Sequence, residues 1–188
     1  MGRERTCRAL QAALIVAAVA CGIPPAAGAA AACPGADLSP AAATAHTIDA
    51  AVLCLINGAR SAHHLPAVSN NRQLGAVATG QVRTMVRLDY FSDVRPTGQT
   101  PMSLVRSSHY PARSATLSVG EIIAWGSGSY ATPAHIFAEW MASPGHRDVI
   151  LTPEYRDAGV SFTNAVPGVL GTGGAGSTYA VEFGARRR

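Results

Sequence analysis

The hydrophobic period of this chain changes from a helical spacing in its first half to a strict alternation near its end. Apolar residues recur at helical spacing over residues 48–59 and again over 72–88. Around 158–162 and 179–183, in contrast, apolar residues alternate with small or polar ones, which is typical of strands. Helices followed by strands favour an α+β domain, in which the two late strands are antiparallel and joined by the glycine-rich segment 168–176.

The first 29 residues have the order of a secretory signal peptide. Three arginines within the first eight residues precede an uncharged run over 9–20, and small residues follow up to Ala29. The run is too short to cross a bilayer as a stable helix, so we predict cleavage after Ala29 and a secreted chain. An alternative is lipidation of Cys21, because its surroundings loosely resemble a lipobox, and the chain would then be attached to the cell envelope.

Cleavage at this site leaves a mature chain with two cysteines, Cys33 and Cys54. An even count in an oxidising compartment favours a disulfide between them, and the alternative is two unrelated thiols. The mature chain carries twelve arginines against ten acidic residues, and three of those arginines end the chain. No basic stripe runs through it, which argues against nucleic-acid binding. It also has no second apolar segment long enough to span a membrane, and we expect a monomer.

Five segments, in order, resemble the bacterial branch of the CAP superfamily, named after cysteine-rich secretory proteins, antigen five and pathogenesis-related proteins. The similarity covers roughly residues 50 to 184, and its most specific part is the segment 140–147. The segments are Leu-Ile-Asn at 55–57 with Arg60, Leu-Asp-Tyr-Phe-Ser at 88–92, Gly-Glu-Ile-Ile-Ala-Trp-Gly at 120–126, Trp-Met-Ala-Ser-Pro-Gly-His-Arg at 140–147 and Ala-Gly-Val at 158–160.

The resemblance implies a three-layer α-β-α sandwich with a mainly antiparallel central sheet. With the predicted signal peptide, the chain then divides into a signal peptide (1–29), an N-terminal arm (30–45), a CAP-like domain (46–185) and a basic tail (186–188). The resemblance also implies a cleft in which members of the superfamily gather two histidines and two acidic residues, in some cases around a divalent metal.

Two of the four cleft positions match the superfamily and two depart from it. Glu121 takes the position of the acid in the Gly-Glu-Asn motif, and His146 takes that of the histidine in Ser-Pro-Gly-His-Arg. Asp93 stands where the family has its other histidine, and Ser143 stands at the second acidic position. A metal would therefore have Asp93, Glu121 and His146 as ligands, a set that favours oxygen-loving ions over zinc.

Other chemistries for the same cleft remain open. Glu121 and His146 could simply hydrogen-bond to each other, or one of them could act as a general base in hydrolysis. Ser143 fits the cap of a helix that begins at Pro144 better than it fits a nucleophile, so no nucleophile is evident. Whether the chain is an enzyme is therefore left undecided by its sequence.

Binding without catalysis is the function that we expect, with a metal-dependent hydrolase as the alternative. Members of the superfamily have been linked to lipids, sterols, glycans and protein partners, so the resemblance implies a ligand of one of these classes in the cleft around Glu121 and His146. His135 and Glu139, four residues apart on one helix, predict a local pair and not a metal site. Residues 171–176 match a dinucleotide-binding pattern, but a strand and not a helix is predicted after them, which predicts a plain loop.

Overall fold

The computed structural model describes residues 33–110 and 116–187. The predicted signal peptide, its cleavage site and the alternative lipidation site Cys21 lie outside these residues. No helix within the described part is long and apolar enough to cross a membrane.

The described residues form five α-helices, and most of these begin at a side-chain cap. Asn71 accepts from the backbone N–H groups of Gln73 and Leu74, and Thr100 forms a reciprocal capping box with Ser103. The first helix is longer than the predicted 48–59. The helices are α1 (Ala45–Ala62), α2 (Arg72–Arg87), α3 (Pro101–Ser107), α4 (Pro133–Ala142) and α5 (Pro144–Ile150).

A four-stranded sheet forms the middle layer, in the order β1-β3-β4-β2. The two late strands pair antiparallel as predicted, and β2 pairs antiparallel with β4 over its whole length. The sheet is mixed, however, because the short β1 runs parallel to β3. The strands are β1 (Ser69–Asn70), β2 (Thr116–Gly126), β3 (Asp157–Thr163) and β4 (Ser177–Arg187), so β4 continues beyond residue 185.

Helices cover both faces of this sheet, which confirms the three-layer α-β-α arrangement. On one face, α1, α4 and α5 pack on alternate strand residues; Ile48, Trp140 and Ile150 meet Ile122 and Val181 there. On the other face, α2 and α3 cover the intervening residues. Met85, Val82 and Ile123 belong to this second core, as do Leu74 and Val105.

The arm before α1 is held by a disulfide between Cys33 and Cys54, which confirms the predicted pairing. Cys33 is buried beside Ala36 and Leu55. The backbone N–H of Ala134 in α4 also donates to the carbonyl of Ala36 at 2.8 Å. The arm therefore joins α1 to the start of α4.

Arg60 ties the end of α1 to the chain between α5 and β3. Its guanidinium is fully buried and donates to backbone carbonyls only. Nη1 lies 2.7 Å from the oxygen of Ile150 and 2.9 Å from that of Thr152, Nη2 lies 3.2 Å from that of Tyr155, and Nε lies 2.9 Å from that of Pro66. One side chain thus satisfies four carbonyls of two separate loops.

We expect Arg60→Met to lower the free energy of unfolding by at least about 3 kcal/mol, because each buried carbonyl left unpaired costs about 1–3 kcal/mol. Arg60→Lys should also destabilise the protein, since a single ammonium cannot reach both loops in the guanidinium geometry. Chemical denaturation measures both effects. The matched control is Arg83→Lys on the exposed side of α2, and a loss for Arg60→Lys no larger than for this control would contradict the assignment.

The backbone of α2 lies directly against β3 at Gly159. A Cβ atom at Gly159 would overlap the backbone nitrogen of Gly75, whereas a Cβ atom at Gly75 itself would meet nothing within 4 Å. Gly159→Ala should therefore destabilise the fold by about 2 kcal/mol, because helix and strand must move apart. Gly75→Ala should be neutral or stabilising by up to about 1 kcal/mol. Thermal unfolding of the two variants tests this contrast, and equal effects would refute it.

Candidate functional site

The candidate site begins with two glutamates that lie opposite each other on neighbouring strands. Glu121 of β2 pairs in register with Glu182 of β4. Since side chains alternate along a strand, both point to the face that α2 covers, on the same side as Ile123 and Ala180. Directly opposite residues in an antiparallel pair have their Cβ atoms about 5 Å apart, so the two carboxyl groups are immediate neighbours.

Both carboxyl groups are buried, and no hydrogen bond from the described residues offsets their loss of hydration. Glu182 is fully buried, and none of the four carboxyl oxygens has a hydrogen-bond partner among the residues that the structure describes. Burial raises the pKa of both groups; the charge of Glu182 raises that of Glu121 further, and Asp93 raises both. Arg95 opposes these effects without cancelling them. Two like charges cannot share this space, so at least one carboxyl of the pair is protonated at neutral pH.

A buried glutamine holds the loop that brings Asp93 and Arg95 to this pair. Nε2 of Gln81 in α2 donates to the carbonyls of Ser92 at 2.9 Å and Asp93 at 3.3 Å. Its Oε1 accepts from Nε of Arg95 at 3.0 Å. Because Gln81 is fully buried, these bonds fix the loop over 90–95 against α2.

Asp93 and His146 form the accessible rim of the site. Asp93 is exposed and His146 is half-buried in α5, which contacts β2. Desolvation of its carboxyl raises the pKa of Asp93, and the nearby charge of His146 lowers it. The structure therefore places Asp93 near His146 on one side and near the glutamate pair on the other.

The structure differs from two interpretations of the sequence and agrees with a third. The hydrogen bond considered between Glu121 and His146 is not formed, because both Glu121 oxygens lack a partner. Ser143 does occupy the position before α5, but its hydroxyl makes no capping bond. His135 and Glu139 form the expected local pair, with Nε2 and Oε1 3.6 Å apart.

As placed, the cleft residues do not form a metal-ligand set. Among residues 33–110 and 116–187, no group of three or more His, Cys, Asp or Glu side chains is positioned to hold an ion. Glu121 in particular keeps its oxygens buried under a raised pKa, whereas a ligating carboxylate must be ionised and reachable. The metal role of Asp93, Glu121 and His146 remains a prediction from resemblance, without a geometry that supports it.

Sequence reasoning missed Glu182, Gln81 and Arg95. The signal for Glu182 was present, because it is an acid within an alternating strand and its neighbours of the same parity, Ala180 and Gly184, are small. Its meaning depended on the register that places it opposite Glu121. Gln81 and Arg95 had no distinguishing pattern, since polar residues on a helix and in a loop are usually exposed.

The glutamate pair predicts a stability that falls as pH rises. A native pKa above the ordinary 4.5 means that the folded protein retains a proton which the unfolded chain releases, so stability is lost above about pH 4.5. Glu182→Gln removes the part of this loss that Glu182 causes, while adding a cost that does not depend on pH. We expect its free energy of unfolding, relative to wild type, to rise by more than about 1.4 kcal/mol between pH 5 and 8. Denaturation curves of Glu154→Gln, an exposed acid, provide the control, and parallel profiles for Glu182→Gln and wild type would contradict the buried pair.

Comparison with known proteins places this site in a family context. The family described as "CAP: Cysteine-rich secretory protein family" matches residues 53–169. The uncharacterized protein YkwD of Bacillus subtilis (strain 168) is 29% identical over 114 residues, which are 61% of this chain and 42% of YkwD. The chain thus spans less than half of that relative's length.

Solved structures share the fold at low sequence identity. An extracellular protein of Bacillus anthracis str. Ames that contains an SCP domain has a TM-score of 0.59 at 23% identity, over 76% of this chain and 41% of that one. An outer surface protein of Borrelia burgdorferi has a TM-score of 0.58 at 18% identity, over 72% of this chain and 90% of that one. The family match over residues 53–169, more than half of the chain, shows that this chain belongs to the CAP (cysteine-rich secretory protein) family.

Proposed function

We propose that this chain is an extracytoplasmic binding protein that takes a hydroxyl-rich ligand of the glycan class in the cleft between Asp93 and His146. The observation that carries the proposal is the division of the site into two levels. Polar groups that a ligand can reach form the rim, whereas the glutamates beneath them are buried and at least one of them is neutral. A carboxylate binds hydroxyl groups through charge-assisted hydrogen bonds, and imidazole nitrogens also hydrogen-bond to them.

A polar ligand suits this rim better than a lipid does. An apolar chain would have to bury the polar groups of Asp93 and His146 without partners, which is costly. Trp125 adds a flat aromatic surface that is 37% exposed. It lies on the same face of β2 as Glu121, because the two residues are four positions apart. Ligand sites commonly combine such an aromatic surface with a few orienting polar groups.

The alternative of a metal-dependent hydrolase has less support from the same groups. A general base must be ionised and within reach of the water that it activates. Glu121 meets neither condition, and the cleft does not assemble three metal ligands in the described ranges. Ser143 lies on the α5 side of the cleft but has no base aligned with it by any hydrogen bond of the described residues.

Location outside the cytoplasm is supported by the disulfide, since such bonds persist in oxidising compartments. It also agrees with the matched proteins of Bacillus anthracis and Borrelia burgdorferi, which are described as an extracellular protein and an outer surface protein. The predicted signal peptide over 1–29 would deliver the chain there. Tethering through Cys21 is the alternative form of the same location.

The test is a titration of the protein with soluble chito- and malto-oligosaccharides, in which calorimetry measures the affinity. We expect Asp93→Asn and His146→Gln each to weaken binding at least about tenfold, equivalent to about 1.4 kcal/mol, because the first removes the carboxylate and the second removes the imidazole that bind the ligand hydroxyl groups. Asp148→Asn, an exposed acid on the same helix as His146, should leave the affinity unchanged. Equal affinity in all three variants, or no heat with any oligosaccharide, would refute the proposal.

The same samples distinguish binding from hydrolysis. Incubation with each oligosaccharide followed by mass spectrometry should recover the sugar intact. Shorter products that disappear in His146→Gln would instead establish the hydrolase. Since the rim substitutions are at exposed or half-buried positions, their unfolding free energies should stay within about 0.5 kcal/mol of wild type, which shows that the fold is retained.

A further inference from the structure

A second groove lies at the opposite edge of the sheet from the cleft. Its volume is about 430 Å³, which is within the range of small-ligand sites. One wall is a face of α1 that includes Asp49 and Leu53, and the other is a face of α2 that includes Arg72, Gly75 and Thr79. Val160 of β3 lies between the two walls, so the groove follows the edge of this strand.

This edge of β3 is paired only at its beginning. The two residues of β1 pair with Asp157 and Ala158, and the N–H of Asn71 makes the last bond, at 2.8 Å to the carbonyl of Ala158. Backbone groups of alternate residues point to the same side of a strand, so those of Val160 and Phe162 point to the side on which β1 pairs with Ala158, and Val160 lines the groove. Beyond the bond to Ala158, no backbone hydrogen bond from another element reaches this side of β3 in the part of the chain that the structure describes. A strand edge of this kind can pair with an added extended peptide.

An acidic and a basic side chain, Asp49 and Arg72, lie at opposite ends of the groove. Arg72 directly follows Asn71, which bonds to Ala158, and therefore lies at the start of β3. Thr79 donates to the Ser161 hydroxyl at 3.0 Å, so α2 runs along β3 toward its end. At that end, Asp49 is close enough to Tyr179 for its charge to raise the pKa of this tyrosine. Tyr179 is the cross-strand partner of Phe162, and the acid and the arginine are therefore separated along the strand.

Asp49 forms no ion pair with any of the residues that the structure describes. Its Oδ1 is buried without a hydrogen-bond partner in the described residues, although the side chain lines the groove. Burial raises the pKa of Asp49 to about 7. The other ionisable groups that line the groove are His46, on the same helix, and Arg72. A ligand cation placed beside Asp49 would offset the desolvation of its carboxylate.

We propose that this groove binds a short peptide with free termini, which pairs with the open edge of β3 in antiparallel orientation. Its ammonium group contacts Asp49 and its carboxylate contacts Arg72, while its backbone pairs with Val160 and Phe162. Only the antiparallel direction brings each terminus to the opposite charge. From Ala158 to Phe162 the strand spans about 13 Å, at about 3.3 Å per residue, which matches a peptide of three or four residues.

The groove is independent of the cleft proposed above. Gln81, which holds the cleft loop, and Gly75, which lines the groove, belong to different sides of α2. Failure of glycan binding at Asp93 and His146 would therefore leave the peptide proposal intact, and the converse also holds.

The experiment uses pools of tripeptides built from Ala, Ser, Val and Leu, added to ¹⁵N-labelled mature protein at about pH 7.5, where Asp49 and the peptide ammonium groups are both mostly charged. One pool has free termini, a second is N-acetylated and a third is C-amidated. Chemical shifts of the Val160 and Phe162 amides report binding. We expect the free pool to shift both amides, and each blocked pool to bind at least about tenfold more weakly.

Two variants assign the two ends. Asp49→Asn removes the contact for the peptide ammonium, so the free and the acetylated pools should bind this variant equally. Arg72→Gln removes the contact for the peptide carboxylate, so the free and the amidated pools should bind that variant equally. Gly75→Leu fills the groove and should abolish the binding of all three peptide pools. The matched control, Gly145→Leu in α5, lies outside the groove and should leave their binding unchanged. Equal affinity of the three pools for wild type, or no shift at Val160 and Phe162 with the free pool at about 10 mM, would overturn the proposal. The wild-type comparison decides the matter even if a variant fails to fold.

Discussion

The buried guanidinium of Arg60 is the interaction on which the arrangement of the layers depends. It lies at the end of α1 and satisfies carbonyls of the loop before β1 and of the turn between α5 and β3. Asn57, one turn earlier, exchanges two hydrogen bonds with the backbone of Val68. These contacts set where β1 and β3 begin. Because β3 and β4 then pair in a fixed register, the end of α1 also determines which residues of β4 face α2.

The candidate site is a consequence of that register combined with one buried amide. The register places Glu182 opposite Glu121, and Gln81 fixes the loop that carries Asp93 and Arg95. The glutamate pair is unfavourable for stability, since its carboxyl oxygens have no partner in the described part of the chain. Such uncompensated polar groups concentrate at functional sites, where the surrounding fold maintains them.

The two edges of the sheet differ in how far other elements cover them, and each edge has its own candidate site. At the β2 edge, the indole of Trp140 donates to the carbonyl of Ile123 at 3.1 Å, so α4 closes part of the edge beside the cleft. At the β3 edge, β1 covers two residues and then leaves to form α2. The first edge supports a rigid cleft with charged side chains. The second edge leaves backbone groups free, and recognition there would rest on strand pairing.

The sequence by itself determined the layers, the disulfide and the family. These features follow from periodicity, an even cysteine count and ordered motifs, and they hold without knowledge of distant contacts. It also singled out Glu121, His146 and Asp93 as cleft residues.

Only the tertiary structure decided the state of those residues. Whether Glu121 is ionised depends on Glu182, 61 positions away, and on how deeply α2 buries both. Likewise, Asp49 became a candidate ligand group only because β1 ends after two residues and leaves the groove open. Strand register and burial are set by long-range packing, which the pattern of neighbouring residues does not encode.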